Sequence, residues 1–234
     1  MCGNEATSRR VINMSYTWEE IEAEKEDVAE RFSWLFFYDL NTITPNTWMG
    51  RRIQKNPLDL FIYAEIAHQV KPEIVIETGS FYGGSAIFWA DIMKLIHGND
   101  YGRVISIDVN RPEETDRNVV WLTGSSLDLN ILNQVHLHTK NHKSVLVNLD
   151  SLHDMNHVYN EMNAYHSFVT PGSYMIVEDG IINGHPTHPE YGPGPYEACE
   201  LFLSKHSEFE ADLSRERLLV TANPMGFLKR KENK

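Results

Sequence analysis

Short apolar runs alternate with helical patterns through most of this sequence. Six runs rich in Val, Ile and Leu are mostly apolar on both faces, as buried parallel strands are; they cover residues 74–76, 104–107, 119–122, 145–149, 174–177 and 218–221. Between them, stretches such as 86–96 and 155–169 repeat apolar side chains at helical spacing. Alternation of strand and helix with short connections predicts an α/β fold built on a doubly wound sheet.

The C-terminal end of the pattern predicts an antiparallel pair of strands. The run at 218–221 is followed almost at once by the apolar segment 225–229, which leaves no room for a crossover helix. Only antiparallel strands can be joined by so short a connection. We therefore expect residues 218–221 and 225–229 to form a hairpin.

Two helical patterns precede the first apolar run. Thr17 and Glu20 have the spacing of a capping box at a helix start. The helix that follows has an apolar face, made of Ile21, Val28, Phe32 and Leu35. Asn56 and Pro57 then fit the cap and first position of a second helix.

These boundaries divide the chain into two parts. Residues 1–16 are expected to be a loose leader. Residues 1–55 as a whole are predicted to be a leader and helical extension that serves as a lid or in oligomerisation. Residues 56–234 are predicted to be one α/β domain.

Composition narrows the class of protein. The chain has 234 residues with 33 acidic and 21 basic side chains, a net charge of −12, which argues against a nucleic-acid partner. Two cysteines, Cys2 and Cys199, cannot form a disulfide framework, so we expect a reducing, cytoplasmic setting. We find no signal-peptide pattern and no apolar run long enough for a membrane helix, and expect no membrane partner.

Candidate ligand-binding residues follow the first three strands, where ligands bind in open α/β sheets. The glycine-rich segment 77–85 permits close backbone approach to a ligand, or is a plain tight turn. Asp108, at the end of the second strand, can accept both hydroxyls of a ribose, or is a solvated strand-end side chain. Ser126 and Asp128 lie where an adenine edge could be reached, or cap the next helix.

Carboxylates follow the next two strands. Asp150 ends one strand, and Glu178 and Asp179 end the next. Without a Lys or Arg between them, such carboxylates repel one another unless a cation lies among them, and oxygen ligands favour Mg²⁺. His153 could then take a proton from a metal-bound hydroxyl, or it is a hydrogen-bonded histidine at a helix start.

A Gly- and Pro-rich loop, residues 183–195, follows these carboxylates and contains His185, His188 and Tyr191. Long loops at the carboxyl end of a strand often cover a substrate. The alternative is a plain surface loop.

Together, these motifs resemble those of the cephalosporin hydroxylase/rhamnosyl O-methyltransferase family. The resemblance rests on Glu77-Thr78-Gly79 with Gly83-Gly84-Ser85, Asp108, Asp150-x-x-His153, Glu178-Asp179, the sequence GPGPYEA at 192–198 and the sequence NPMGFLKR at 223–230. It extends from about Trp48 to Arg230. It implies a class I methyltransferase (Rossmann-like) fold of seven strands, the last of them antiparallel.

The resemblance also implies roles for individual residues. S-adenosylmethionine would be held by Glu77, Thr78, Gly79, Ser80, Tyr82, Gly83, Ser85, Asp108, Ser126, Asp128 and Asp150. Mg²⁺ would be bound by Asp150, Glu178 and Asp179, with His153 as general base. His185, His188 and Tyr191 are candidates for contact with the acceptor, and pairing through N-terminal helices would make a homo-oligomer.

The predicted activity is therefore Mg²⁺-dependent O-methylation, by S-adenosylmethionine, of a hydroxyl on a small sugar-like or diol-bearing acceptor. The metal would lower the pKa of the attacking hydroxyl. Two alternatives remain at this stage. One is a cephalosporin-hydroxylase-like protein with an oxygenase-associated role, and the other is a non-catalytic binding protein on the same fold.

Overall fold

The computed structural model describes residues 17–38, 40–98, 103–112 and 118–232. The leader predicted for residues 1–16, with Cys2, lies outside the described residues. The helices are α1 (Trp18–Ala23), α2 (Lys25–Tyr38), α3 (Leu40–Ile43), α4 (Pro57–Val70), α5 (Gly84–His97), α6 (Leu129–Thr139), α7 (Met155–Tyr165) and α8 (Pro195–Leu203). The strands are β1 (Thr47–Trp48), β2 (Arg51–Arg52), β3 (Ile74–Thr78), β4 (Arg103–Asp108), β5 (Val119–Thr123), β6 (Val145–Leu149), β7 (Tyr174–Val177), β8 (Phe209–Ala211) and β9 (Phe227–Arg230).

The main sheet has seven strands in the order β5-β4-β3-β6-β7-β9-β8. The strands from β5 to β7 pair in parallel, and β9 is antiparallel to both of its neighbours. In this register Thr78 at the end of β3 lies between Ile107 of β4 and Leu149 of β6. The carboxyl ends of the three central strands therefore meet at one edge. The predicted doubly wound sheet with a final antiparallel strand is confirmed.

One predicted strand is wrong. Residues 218–221 form no strand, and β9 pairs with β8 instead. The cause is a long-range contact: the buried carboxylate of Asp59 on α4 accepts hydrogen bonds from Thr221 Oγ1 (2.6 Å) and from the backbone N–H of Ala222 (2.8 Å). Leu219 also has a positive φ of 71°, which no extended strand allows. The segment is therefore a loop bound to α4.

Both faces of the sheet are covered. One core layer joins α4 and α5 to the sheet, through buried side chains such as Ile66 and Trp89. The other joins α6, α7 and α8, through side chains such as Val135, Met162 and Phe202. This two-sided burial explains why the central strands are apolar at nearly every position. In the described part of the chain, no helix has the length and apolar content needed to cross a membrane.

The predicted helix starts are also present. Thr17 Oγ1 accepts from the backbone N–H of Glu20, and the Glu20 carboxylate accepts from that of Thr17. Asn56 caps α4 by accepting from the backbone N–H of Leu58 (3.1 Å). The first predicted helix is divided at Glu24 into α1 and α2.

Candidate functional site

A cavity of about 530 Å³ lies beyond the carboxyl ends of β3, β4 and β6. Its volume is in the range of small-molecule sites. Nine of the residues predicted from the sequence line it: Gly79, Ser80, Tyr82, Ser85, Asp108, Ser126, Asp150, His153 and Asp179. The others do not, namely Glu77, Thr78, Gly83, Asp128, Glu178, His185, His188 and Tyr191.

Gly79 brings the glycine-rich segment against the strand that carries Asp150. It has a φ of +83°, and a Cβ at this position would overlap the backbone carbonyl of Asp150. Only glycine allows both the conformation and the close approach. The turn after β3 therefore lies directly beside the acidic end of β6.

The N-terminus of α5 forms one wall of the cavity. Gly83 at the cap position has no side-chain oxygen to accept from the first N–H groups of this helix, and Gly84 and Ser85 follow it. A Cβ at Gly84 would overlap the carbonyl of Arg52, so β2 packs closely over this turn. Free N–H groups at a helix N-terminus bind anionic groups such as a carboxylate.

Asp108 is held in a fixed orientation at the end of β4. Its Oδ2 accepts from the backbone N–H of Phe81 (2.9 Å), and its Oδ1 accepts from that of Asn110 (2.8 Å). Ser126 lines the same cavity, whereas Asp128 caps α6 by accepting from the backbone N–H of Asn130. Of the two alternatives for Asp128, helix capping is the one observed.

Glu77 lies behind the cavity wall and is fully buried. Its Oε2 accepts from Ser106 Oγ (2.5 Å), whereas its Oε1 has no partner among the described residues. Burial raises the pKa of Glu77 to about 7, although the hydrogen bond from Ser106 acts in the opposite direction.

Lys55, which sequence reasoning missed, lies among the acidic residues. Its ammonium group forms ion pairs with Asp150 and with Glu178 (2.8 Å) and is only 6% exposed. Burial lowers the pKa of Lys55, but the charges of Asp150 and Glu178 outweigh it and raise the pKa above its ordinary value. The premise that no Lys or Arg stands between these carboxylates is therefore wrong. No pattern in the sequence indicates this contact, because Lys55 and Asp150 are 95 residues apart in the chain.

Glu178 is directed into the protein and away from the cavity. Besides the ion pair with Lys55, its Oε1 accepts from Asn148 Nδ2 (2.7 Å). Burial raises the pKa of Glu178, and the negative charge of Asp150 raises it further. Of the three carboxylates predicted to bind the metal, those of Asp150 and Asp179 line the cavity.

Asp150, His153 and Asp179 bring potential metal-ligand atoms within 4.8 Å of one another. His153 Nε2 lies 3.1 Å from Asp179 Oδ2. Two carboxylates and an imidazole at one point suit a divalent cation, with water and substrate oxygens completing its coordination. The residues fit Mg²⁺, with His153 adjacent and Glu178 engaged by Lys55.

The backbone of Asp179 is fixed by a buried network that the sequence did not reveal. Asp179 has a φ of 59°, and its backbone N–H donates to Asn223 Oδ1 (3.1 Å). Asn223 Nδ2 in turn donates to Tyr63 Oη on α4 (2.7 Å). Asn223 and Tyr63 are both buried, so α4 and the loop before β9 together hold Asp179 in an uncommon conformation.

A second histidine, His157, also lines the cavity. Its Nε2 lies 3.0 Å from Ser151 Oγ, which donates to Glu161 Oε1 (2.8 Å). Hydrogen bonding with Glu161 raises the pKa of His157, which keeps it protonated to higher pH. His157 is thereby suited to donate a hydrogen bond, and the His–Glu spacing of four on one helix was its sequence signal.

The loop histidines have packing partners outside the cavity. His185 Nε2 lies 2.8 Å from Glu197 Oε1, and the ring stacks on Tyr196. His188 stacks on Tyr38 of α2, with ring centroids 4.1 Å apart. Tyr191 is exposed beside His188. In this structure the loop side chains connect the loop to α8 and α2.

The chain matches known proteins over most of its length. The model of the family described as rhamnosyl O-methyltransferase/CmcI matches residues 41–231. The rhamnosyl O-methyltransferase of Mycobacterium tuberculosis (strain ATCC 25618 / H37Rv) is 36% identical over 209 residues, covering 86% of this chain and 84% of that protein. The rhamnosyl O-methyltransferase of Mycobacterium leprae (strain TN) is 33% identical over 213 residues, covering 88% and 92%.

Solved structures share the fold. The apo structure of CmcI superposes with a TM-score of 0.62 at 23% identity, covering 81% of this chain and 78% of that one. CalS11, described as a TDP-rhamnose 3′-O-methyltransferase of calicheamicin biosynthesis, gives a TM-score of 0.53 at 15% identity, covering 93% and 96%. At these identities the likeness establishes the class I methyltransferase fold.

Proposed function

The chain belongs to the rhamnosyl O-methyltransferase/CmcI family, and on this premise we propose that it transfers the methyl group of S-adenosylmethionine to a sugar hydroxyl. One observation carries the proposal. One cavity is lined both by the glycine-rich turn after β3 with Asp108 and by Asp150, His153 and Asp179. A methyl donor bound at the first group would lie next to an acceptor hydroxyl bound at the second.

S-adenosylmethionine would lie along the wall formed by residues 79–85. The free N–H groups at the start of α5 suit its carboxylate. Asp108, already oriented by Phe81 and Asn110, would accept the ribose hydroxyls, and Ser126 would lie near the adenine.

Asp150 and Asp179 would hold Mg²⁺. When bound, this ion lowers the pKa of the acceptor hydroxyl. His153 would accept the hydroxyl proton, and the adjacent Asp179 carboxylate would stabilise the imidazolium that forms. The acceptor oxygen would then form a bond to the methyl carbon as the sulfur–methyl bond breaks, which would leave S-adenosylhomocysteine with a neutral sulfur.

The acceptor class follows from the relatives. The curated relatives are named for rhamnosyl methylation, and they cover most of this chain. We therefore propose a rhamnose-bearing small molecule as the acceptor. A reducing, cytoplasmic setting fits the one described cysteine, Cys199, which is a buried free thiol.

A homo-oligomer completes the proposal. Five large apolar side chains of α1 and α2 are exposed, and we call them the apolar stripe; they are Trp18, Ile21, Val28, Phe32 and Leu35. Within α2, Val28 and Leu35 are seven residues apart with Phe32 between them, which is the spacing of helices that pair along their length. We propose that two copies cover this stripe.

The activity is tested with purified protein, S-adenosylmethionine, MgCl₂ and two acceptors, methyl rhamnoside and TDP-rhamnose. We expect S-adenosylhomocysteine to form and the acceptor to gain the mass of one methyl group in exchange for hydrogen. His153→Gln should lower turnover by about 100-fold or more, and Asp150→Asn should abolish the Mg²⁺-dependent turnover. Asp128→Asn, at a helix cap outside the cavity, is the matched control and should retain activity.

Other outcomes would contradict the proposal. If the protein binds S-adenosylmethionine but methylates neither acceptor, the binding-protein alternative gains support. Oxygen uptake when Fe²⁺ replaces Mg²⁺ would favour the oxygenase-associated alternative. Full Mg²⁺-dependent activity in Asp150→Asn would disprove the metal assignment.

A further inference from the structure

A second cluster of metal-ligating side chains lies outside the cavity. His166 caps the C-terminus of α7, and His206 and Glu208 lie between α8 and β8. Their potential ligand atoms lie within 4.8 Å of one another. None of the three lines the cavity, so the cluster is separate from the proposed active site.

Asn163 on α7 determines which nitrogen of His206 carries a proton. Asn163 Nδ2 donates to the carbonyl of Tyr159 (2.6 Å), so Oδ1 is the accepting atom of this amide. That oxygen lies 3.2 Å from His206 Nε2, so this nitrogen carries a proton. His206 Nδ1 then lies 3.0 Å from Glu208 Oε1.

Asn163 orients His166 in the same way. His166 Nδ1 lies 2.8 Å from the backbone carbonyl of Asn163, which can only accept, so this nitrogen carries the proton. The lone pair of the neutral ring is therefore on Nε2. Histidines that bind metals commonly donate their other ring N–H to a carbonyl oxygen in this manner.

With both rings neutral, the lone pairs are on His166 Nε2 and His206 Nδ1, in a cluster that also contains the Glu208 carboxylate. A lone pair on His206 Nδ1 and the Glu208 carboxylate repel each other at 3.0 Å unless a proton or a metal ion lies between them. We propose that His166 Nε2, His206 Nδ1 and Glu208 bind a transition-metal ion of the Zn²⁺ class. Two imidazoles and a carboxylate favour Zn²⁺ over Mg²⁺, and water would take the fourth position.

The surroundings hold the ligands in place. The His206 ring stacks on Phe202, which is fully buried, with centroids 4.0 Å apart and an interplanar angle of 13°. The neighbouring cations have other partners: Lys205 Nζ donates to Tyr159 Oη (3.1 Å), and Lys231 Nζ donates to the carbonyl of Ser207 (2.7 Å). Neither of these lysines therefore neutralises the Glu208 carboxylate, which remains free to bind a metal ion.

A bound ion would connect the end of α7 to the segment that enters β8. β8 is the edge strand of the sheet and has only three residues. A metal ion that binds only the folded chain raises the free energy of unfolding. The increase grows with the logarithm of the ratio of metal concentration to dissociation constant. The site would thus stabilise the sheet edge.

The test is a calorimetric titration of the full chain with ZnCl₂. The chain is first treated with chelator, and MgCl₂ is present in excess. We expect one Zn²⁺ ion per chain to bind here, and Co²⁺ in its place to give the visible absorption of a tetrahedral site. His166→Gln and Glu208→Gln should each weaken this binding by at least about tenfold. His136→Gln, an exposed histidine on α6 outside the cluster, and Asp179→Asn, in the proposed active site, should each retain it.

Two results would overturn the inference. One is Zn²⁺ binding of equal affinity and stoichiometry in His166→Gln, Glu208→Gln and the unaltered chain. The other is no Zn²⁺ binding in the unaltered chain, in which case a protonated His206 paired with Glu208 accounts for the contact. Neither result bears on methyl transfer, because the cluster and the cavity share no residue.

Discussion

The ammonium group of Lys55 lies between two buried carboxylates, those of Asp150 and Glu178. A buried carboxylate left without a partner is unstable, so the position of this one cation decides which carboxylates can face the cavity. Glu178 pairs with Lys55 inside the protein, whereas Asp150 pairs with Lys55 and also lines the cavity. The arrangement limits the negative charge that a divalent ion would meet.

Replacing Lys55 with methionine tests this role. We expect Lys55→Met to lower the free energy of unfolding by about 3 kcal/mol without metal, because two buried carboxylates lose their partner. Mg²⁺ should restore much of this loss, since the ion can then lie between Asp150 and Glu178. Thermal unfolding with and without millimolar MgCl₂ measures both effects. Lys94→Met, at an exposed position on α5, is the control. Equal Mg²⁺ responses in Lys55→Met and the unaltered chain would disprove the role.

Glu77 predicts a pH dependence of stability. Its pKa in the folded chain, about 7, exceeds the ordinary value of 4.5, so between these values the folded chain holds a proton that the unfolded chain has lost. The contribution of Glu77 to the free energy of unfolding therefore falls as pH rises through this window. Glu77→Gln cannot titrate, so from pH 5 to pH 8 it should gain about 2 kcal/mol relative to the unaltered chain. Urea unfolding at both pH values, without cofactor, measures the gain. A pH-independent difference would show that Glu77 has an ordinary pKa.

At the scale of elements, the sequence was informative where burial is two-sided. The predicted strands at 104–107, 145–149 and 174–177 agree with β4, β6 and β7 to within a residue at each end. Because these strands are covered on both faces, local composition reports their environment directly. The same reasoning placed Asp108, Asp150 and Asp179 at strand ends beside one cavity.

The failures have a common physical cause, which is contact between segments far apart in the chain. Residues 218–221 have the composition of a strand, but the carboxylate of Asp59 on α4 binds them as a loop. Lys55 reaches Asp150 and Glu178 from the segment before α4. No local pattern records such contacts, so neither could be inferred from spacing or periodicity.

The loop before β9 suggests an element-scale prediction. Asn223→Ala removes the acceptor for the backbone N–H of Asp179 and the donor to Tyr63. We expect Mg²⁺ affinity, measured by calorimetry in the presence of S-adenosylhomocysteine, to fall at least about tenfold. Affinity for S-adenosylhomocysteine should change little, because Asn223 does not line the cavity.

A control separates positioning from loss of stability. Asp59→Asn loosens the same loop at Thr221 and Ala222 without touching Asp179, so it should lower stability while leaving Mg²⁺ affinity nearly unchanged. If Asn223→Ala and Asp59→Asn reduce Mg²⁺ affinity equally, Asn223 acts only through the general stability of the loop.

On the scale of the whole molecule, α1 and α2 differ from the other helices. Their apolar stripe is exposed, with Leu35 at 73% exposure, whereas α4 and α5 bury theirs against the sheet. At its C-terminal end, α2 contacts the loop that follows the acidic residues, where Tyr38 stacks on His188 and its hydroxyl lies 3.2 Å from Glu190. A partner that covers the stripe would therefore also influence this loop.

The proposed oligomer is tested by placing charge on the stripe. Val28 and Leu35 are two helical turns apart on one face of α2, so the double variant Val28→Glu, Leu35→Glu would put carboxylates where two copies meet. Burying an apolar side chain of this size stabilises the dimer by about 2 kcal/mol, and burying an unpaired carboxylate destabilises it by more. The double variant should therefore be monomeric. Sedimentation velocity at micromolar concentration compares it with the unaltered chain, which we expect to be a dimer.

Leu137→Glu, at an exposed apolar position on α6, adds charge outside the stripe and should leave the dimer intact. An unaltered chain that is monomeric, or a double variant that still dimerises, would show that α1 and α2 do not pair two copies.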